Sequence, residues 1–315
     1  MARNPGLNQG YITSLDNSLK GVGRTTGNVF YVDSGHASAD DNGPGDRPDK
    51  PMATMDACVA KMTANNGDQM IVMPGHAEAV IAASGLDFDV AGIEVIGIGT
   101  GTTRPTITLG TATTATVVIG AANVTLRNLR FVSDINDLAI MLDVNDGNLA
   151  VHDCEFLGVS AKECFCFVDI ATTKDDFLFE GCRFHQPTDP AGTDGNASTG
   201  CFYFVDSENI TIKGCEITGF FETSIFHNKT TAATELWIVD CYGSQNDTGV
   251  ADVGDILAAT TGGMVNCHWM VPAAADVAEA SFITIAASCT FGLHLVTFMN
   301  DGAGGNRAVE AAAAT

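Results

Sequence analysis

The chain has 315 residues, 45% of them hydrophobic, enough apolar material for one large core. Its 38 acidic and 15 basic residues give a formal charge of −23, a surface that repels phosphate backbones and anionic polysaccharides, so nucleic acid is not an expected partner. No run approaches the ~18 consecutive apolar residues of a membrane span, and the opening MARNPGLNQG has no apolar signal core, so neither membrane nor Sec export is expected.

Residues 1–28 fit no repeat and are expected to form an extended arm. Three basic residues, Arg3, Lys20 and Arg24, meet one acid, Asp16, and Leu7, Tyr11, Ile12 and Leu15 supply apolar contacts. A mildly basic arm on a very acidic body suggests docking onto another surface. Residues 29–67 read as a cap. VFYVD is a strand, GHASADDNGPGDRPDKP a polar loop, and Met55, Cys58, Val59 and Met62 follow the i, i+3, i+4, i+7 spacing of a short amphipathic helix. The loop acids Asp40, Asp41, Asp46 and Asp49 are oxygen donors of the kind Ca2+ takes, but they lack the EF-hand pattern. A solvated loop is the preferred reading, with no metal or cofactor expected.

From 68 to 299 one pattern recurs. NVTLRNLRF, NLAVHDCEF, DFLFEGCRF, NITIKGCEI, ELWIVDCYG and GMVNCHWM share a column formed by Leu129, Cys154, Cys182, Cys215, Cys241 and Cys267, at intervals of 25, 28, 33, 26 and 26 residues. A unit of this length marks a solenoid. Each segment alternates with period two, as a strand with one buried face does. The residue before the column breaks the alternation and is Asn128, Asp153, Gly181, Gly214, Asp240 or Asn266, types that tolerate a left-handed backbone. A second strand precedes each segment, for example AIMLDV, CFCFVDI and CFYFVD, so two strands and a bend are expected per repeat.

Weaker copies place Ile98 and Val296 in the column, giving about eight coils and, at ~4.8 Å per strand, a rod of roughly 35 to 40 Å. Equivalent strands must be parallel, and their crossovers right-handed. The expected fold is all-β, a single-stranded right-handed parallel β-helix; a β-propeller would need four strands per blade and Gly and Trp signatures that are missing. Five of the ten cysteines then lie in one inward column, where parallel side chains suit a disulfide poorly and a free thiol acts as a small hydrophobe. Residues 300–315 read as a glycine-rich hinge and a short Ala-rich helical tail.

Outward acids are the candidates for chemistry. Aligning the first strand of each coil stacks Asp143, Asp169 and Asp206, with His227 one coil later, at a ~5 Å step near the carboxylate separation of a retaining glycosidase. The competing reading makes them strand-ending acids that hydrogen-bond turn backbone, and it is preferred. Asp153 and Asp240 are bend residues and leave the catalytic set.

The coil NVTLRNLRF resembles those of the pectate-lyase-like β-helix superfamily over residues 68–299, which implies the fold but no single activity. Polygalacturonase-type GHG and RIK segments are missing, and LWIVDC resembles a pectate-lyase segment without a matching arginine base. The stretch YVDSGHASADDNGPGDRPDKPMATMDACV, followed by NNGDQMIVMPGHAE, resembles the opening of phage-encoded β-helix proteins. That resemblance implies a virion component made in the host cytoplasm. The expected function is a non-enzymatic capsid decoration or cement protein on the virion surface, a homotrimer whose arm contacts the major capsid protein. The alternatives are a tailspike-type polysaccharide lyase or hydrolase using Asp143, Asp169 and Asp206, or a glycan-binding adhesin without turnover.

Overall fold

The computed structural model describes residues 25–309 apart from 160–161, 163, 171–172, 188–199, 222, 229–230, 247–252, 257–258, 272–282, 287–288 and 301–306. The arm residues Arg3, Leu7, Tyr11, Ile12, Leu15, Lys20 and Arg24 lie outside the described residues. The chain winds through three sheets and is the right-handed parallel β-helix expected from its repeats. Sheet 1 has ten strands, from Val29–Val32 and Gln69–Val72 to Thr290–His294. Sheet 2 has ten, from Ala77–Val80 to Val296–Asn300 and Arg307–Val309, and sheet 3 has eight, from Leu86–Asp87 to Ile283–Ile285. Eight turns each contribute one strand to every sheet, and a ninth begins at Thr290. Every described pairing between turns is parallel.

Three strands per turn, not two, follow from the left-handed residue ahead of the column. Asn128, Asp153, Gly181, Gly214, Asp240, Asn266 and Leu295 have φ between 51° and 66°, and each swings the chain from sheet 1 to sheet 2 within two residues. A second left-handed column closes the turn from sheet 3 to sheet 1. Asn123, Asn148, Asp176, Asn209 and Glu235 have φ between 50° and 69°, and Gly67 and Gly92 take the same place at 75° and 74°. The corner side chains also bond the backbone: Asn128 Nδ2 donates to the carbonyls of Gly97 at 2.7 Å and Gly99 at 2.9 Å.

The interior is built from columns of like side chains. Phe131, Phe156 and Phe184 stack on sheet 2 with centroids 5.0 and 4.7 Å apart, and Phe202 continues the cluster edge-on to Phe184 at 4.8 Å. Truncating one such ring to Ala costs about 3–5 kcal/mol in lost burial and cavity. Cys154, Cys182, Cys215, Cys241 and Cys267 fill the inward corner column at 1% exposure or less. Four of their thiols donate to a carbonyl of the preceding turn, as Cys215 Sγ does to Phe179 O at 3.5 Å and Cys241 Sγ to Ile212 O at 3.4 Å.

Two expected column members separate. Val296 is buried behind Leu295 as the pattern requires. Ile98 is not in the column, because Gly97 is not left-handed and the chain runs on to a short 3-10 turn at Gly101–Thr103. Ile98 instead packs outside sheet 1 with Ile71, Met73 and Ile96, against Val29 and Tyr31 of the cap strand. At the far end Arg307–Val309, within the expected tail, form a strand antiparallel to Val296–Phe298, while the alanine run at 311–314 lies outside the described residues. The last sheet 2 strand offers an unpaired edge, and Arg307–Val309 covers it.

At the first edge the strand Val29–Val32 pairs with Gln69–Val72, and the helix Met55–Val59 buries Met55, Cys58 and Val59. The cap is held by carboxylates inside it. Asp68 is fully buried and accepts from Asn28 N at 2.6 Å and Thr63 N at 2.7 Å. Burial pushes its pKa up, but these bonds and those from Asn66 and Asn28 side chains outweigh it and hold it below the usual range.

Leu295 is the one bend of the sheet 1 to sheet 2 column that is neither Asn, Asp nor Gly, and its side chain is 53% exposed. A left-handed Leu costs about 1–2 kcal/mol, and little burial would be lost by removing it. Leu295→Gly is therefore expected to stabilise the protein by about 1 kcal/mol, with a higher Tm in thermal unfolding; a lower Tm rejects the strain account.

Candidate functional site

On the outward face of sheet 3 one register column carries most of the titratable groups. Asp143 pairs with Asp169, Asp169 with Tyr203, Tyr203 with His227, and His227 with Asp255. Ahead of them come Val118 and, one turn earlier, Asp87. The neighbours on one side, Val117, Leu142, Val168, Phe202 and Phe226, belong to the core, so alternation sends this column outward. Two of the three acids aligned from the sequence are thus register neighbours. Asp206 is not: it lies past the end of the strand Gly200–Phe204, at φ 52° in the following corner. The aromatic column sets this register, because Phe202 must stack on Phe226, at a centroid distance of 5.9 Å, and lie opposite Val168.

The centre of the column is closed. Asp169 is 3% and Tyr203 6% exposed, whereas Asp143, His227 and Asp255 are half-buried. The Tyr203 ring lies back toward Gly200, where an added Cβ would sit 3.3 Å from its Cε1. It also meets the His227 ring at 5.1 Å. His227 Nδ1 is 3.3 Å from Asp255 Oδ2. Burial, then the charges of Cys166 and Asp169, push the Tyr203 phenol up, so it stays protonated. Chemically the column offers a neighbouring carboxylate pair, a phenol and an imidazole paired with a carboxylate. Tyr203 and Asp255 were not selected from the sequence. The signal was the apolar column beside them, whose alignment gives the register.

Elsewhere the outward charges neutralise one another along columns. Arg127 reaches Glu94 at 2.7 Å, Arg130 reaches Glu155 at 2.6 Å, and Arg183 reaches Glu216 at 3.5 Å. Glu180 joins His152 at 3.3 Å to Lys213 at 2.9 Å. The arginines on these coils are therefore engaged on sheets 1 and 2, away from the sheet 3 column. In the cap loop Asp41 accepts from Ala53 N and Thr54 N at 2.8 and 2.9 Å, and Asp49 pairs with Arg47. Among the described residues no three His, Cys, Asp or Glu groups converge as a metal site.

All ten cysteines are free, and nine are buried. Burial pushes the thiols of Cys58, Cys154 and Cys164 up to about 12, and sulfur hydrogen bonding with Cys215, then burial, does the same for Cys241, to about 12. Thiolate is the reactive form, so the native protein at pH 8 is expected to give at most one fast-reacting thiol with a disulfide reagent, Cys289, and ten in denaturant. Several fast thiols in the folded state would reject the sealed column.

Asp87 titrates in the opposite sense from Asp68. Burial first, then the charges of Asp89 and Asp56, raise its pKa. A carboxyl raised in the folded state favours folding least when ionised, so its cost grows as pH rises from the unfolded value through the folded one. Asp87→Asn is expected to stabilise the protein at pH 7, with the gain fading below about pH 4. Equal gains at both pH values in chemical unfolding would reject this assignment.

No protein-family model and no curated protein sequence matches the chain. Among solved structures, one titled rhamnogalacturonan lyase is similar at 14% identity with a TM-score of 0.47, over 88% of this chain and 75% of that one.

Proposed function

We propose that the chain is a non-enzymatic structural protein of a phage virion, a capsid decoration or cement protein. In this reading it is a homotrimer whose N-terminal arm binds the major capsid protein and whose acidic β-helix faces solvent. One observation carries the non-enzymatic part: the middle of the titratable column, Asp169 and Tyr203, is closed to a polymeric substrate at 3% and 6% exposure. The paired exterior columns of sheets 1 and 2 support the same reading, since they engage Glu94, Glu155, Glu180 and Glu216 with Arg127, Arg130, Lys213 and Arg183. The virion part rests on the resemblance of the cap to the opening of phage β-helix proteins.

A second reading, a glycan-cleaving enzyme, is favoured by the Asp143–Asp169 register pair, whose ~4.8 Å strand step lies near the separation used in retaining glycosidases.

Deleting residues 1–24 separates arm from body, because Asn28 is bonded to Asp68 and belongs to the cap. The truncated protein is expected to keep its Tm and lose binding to decoration-free capsids in co-sedimentation; unchanged binding rejects the arm as the docking element. Incubating the full chain with host surface glycans is expected to release no reducing ends or unsaturated products. Release that Asp143→Asn and Asp169→Asn abolish would replace the structural reading with the enzymatic one.

A further inference from the structure

The outward face of sheet 1 carries a groove unconnected with the sheet 3 column. Two cavities lie along the same corner, one of ≈ 370 Å³ beside Gly67, Gly92 and Asn123 and one of ≈ 330 Å³ beside Asn148, Asp176 and Asn209. These residues occupy one place on six successive turns, the left-handed corner that ends sheet 3 and begins sheet 1. The conformation that closes each turn therefore sets a carboxamide or carboxylate at every step of the second cavity's wall. Asn209 Nδ2 donates to Asp176 Oδ1, linking two of them.

The floor is the register column Ala150, Leu178, Thr211 and Trp237. Trp237 is 43% exposed, while the other tryptophan, Trp269, is fully buried. The next two floor positions are glycines, Gly263 and Gly292. An added Cβ at Gly263 would lie 3.3 Å from Trp237 Cζ3, and one at Gly292 would meet nothing within 4 Å. The indole thus leans over bare backbone at the end of a polar groove.

We infer that this groove of turns 4 to 7 binds an extended, uncharged glycan, with a sugar ring on Trp237 and hydroxyls on Asn148, Asp176, Asn209 and Thr211. The spacing suits it: wall groups recur at the ~4.8 Å strand step, about one hexopyranose per turn. A flat aromatic face binds the C–H face of a sugar, and a few placed polar groups fix its orientation. A protein partner would want a broader apolar centre than one indole. The carboxylate of Asp176 and a body of net charge −23 select against uronate chains. The site does not depend on the capsid role proposed above, and its test reads no particle binding.

The probes are chitohexaose, cellohexaose and, as the anionic control, hexagalacturonate. With Trp269 sealed, a change in tryptophan fluorescence reports on Trp237. At least one uncharged hexamer is expected to give a saturable change and hexagalacturonate none. Trp237→Ala, an exposed site, should weaken binding about tenfold by calorimetry, and Asn209→Gly, which keeps the left-handed corner, should weaken it severalfold with Tm unchanged. No saturable binding of either uncharged hexamer overturns the inference. So does binding that Trp237→Ala and Asn209→Gly both leave intact, and so does preferential binding of hexagalacturonate.

Discussion

Two left-handed residues in each of turns 3 to 7 organise this molecule. Once a left-handed residue, most often Asn, Asp or Gly, closes these corners in the same place, successive turns superimpose, and parallel strands settle into register at their ordinary spacing. Everything else is a column. A residue that faces inward on one turn faces inward on the next, so the core becomes stacks of Phe, of Val and Ile, and of Cys. The cysteines illustrate the constraint: the space behind the bend is small and dry, and a thiol fills it while reaching the carbonyl of the turn before.

The same geometry decides what the sequence could reveal. One corner was legible because it interrupts a strong alternation just before a repeated cysteine. The other was not, although Asn123, Asn148, Asp176 and Asn209 stand at the head of the repeated segments, because they come before the alternation begins and interrupt nothing. Counting the bent segment as one strand with another before it gives two strands per turn; the bend divides that segment in two, which gives three. Ile98 was misplaced for a related reason, since Gly97 matches the bend by residue type but not by φ. Glycine permits a left-handed backbone without requiring it.

The candidate site was half legible. Asp143 and Asp169 were found because both follow an apolar strand at the same distance. Asp206 follows one too, but counting back from the end of CFYFVD ignores that Phe202, not Asp206, is held in register by the ring of Phe226. In a β-helix the interior column sets the alignment of the exterior one. Outward residues are better located by the core beside them than by one another.

Exterior columns obey a further rule, since like charges one strand step apart repel. On sheet 2 the sequence Arg130, Glu155, Arg183, Glu216 alternates in sign turn by turn, and on sheet 1 Glu180 stands between His152 and Lys213. Asp175 and Glu208 break the rule but are exposed, so water and salt screen them. Asp143 and Asp169 break it where screening is poor, with Asp169 almost sealed and Tyr203 above it. The two carboxyls stand one strand step apart, as the pair in a retaining glycosidase does. A decoration protein has no use for that arrangement beyond packing, whereas a hydrolase depends on it. The choice between the two readings therefore turns on this single step of the column, and on whether the face over Asp169 opens to a glycan.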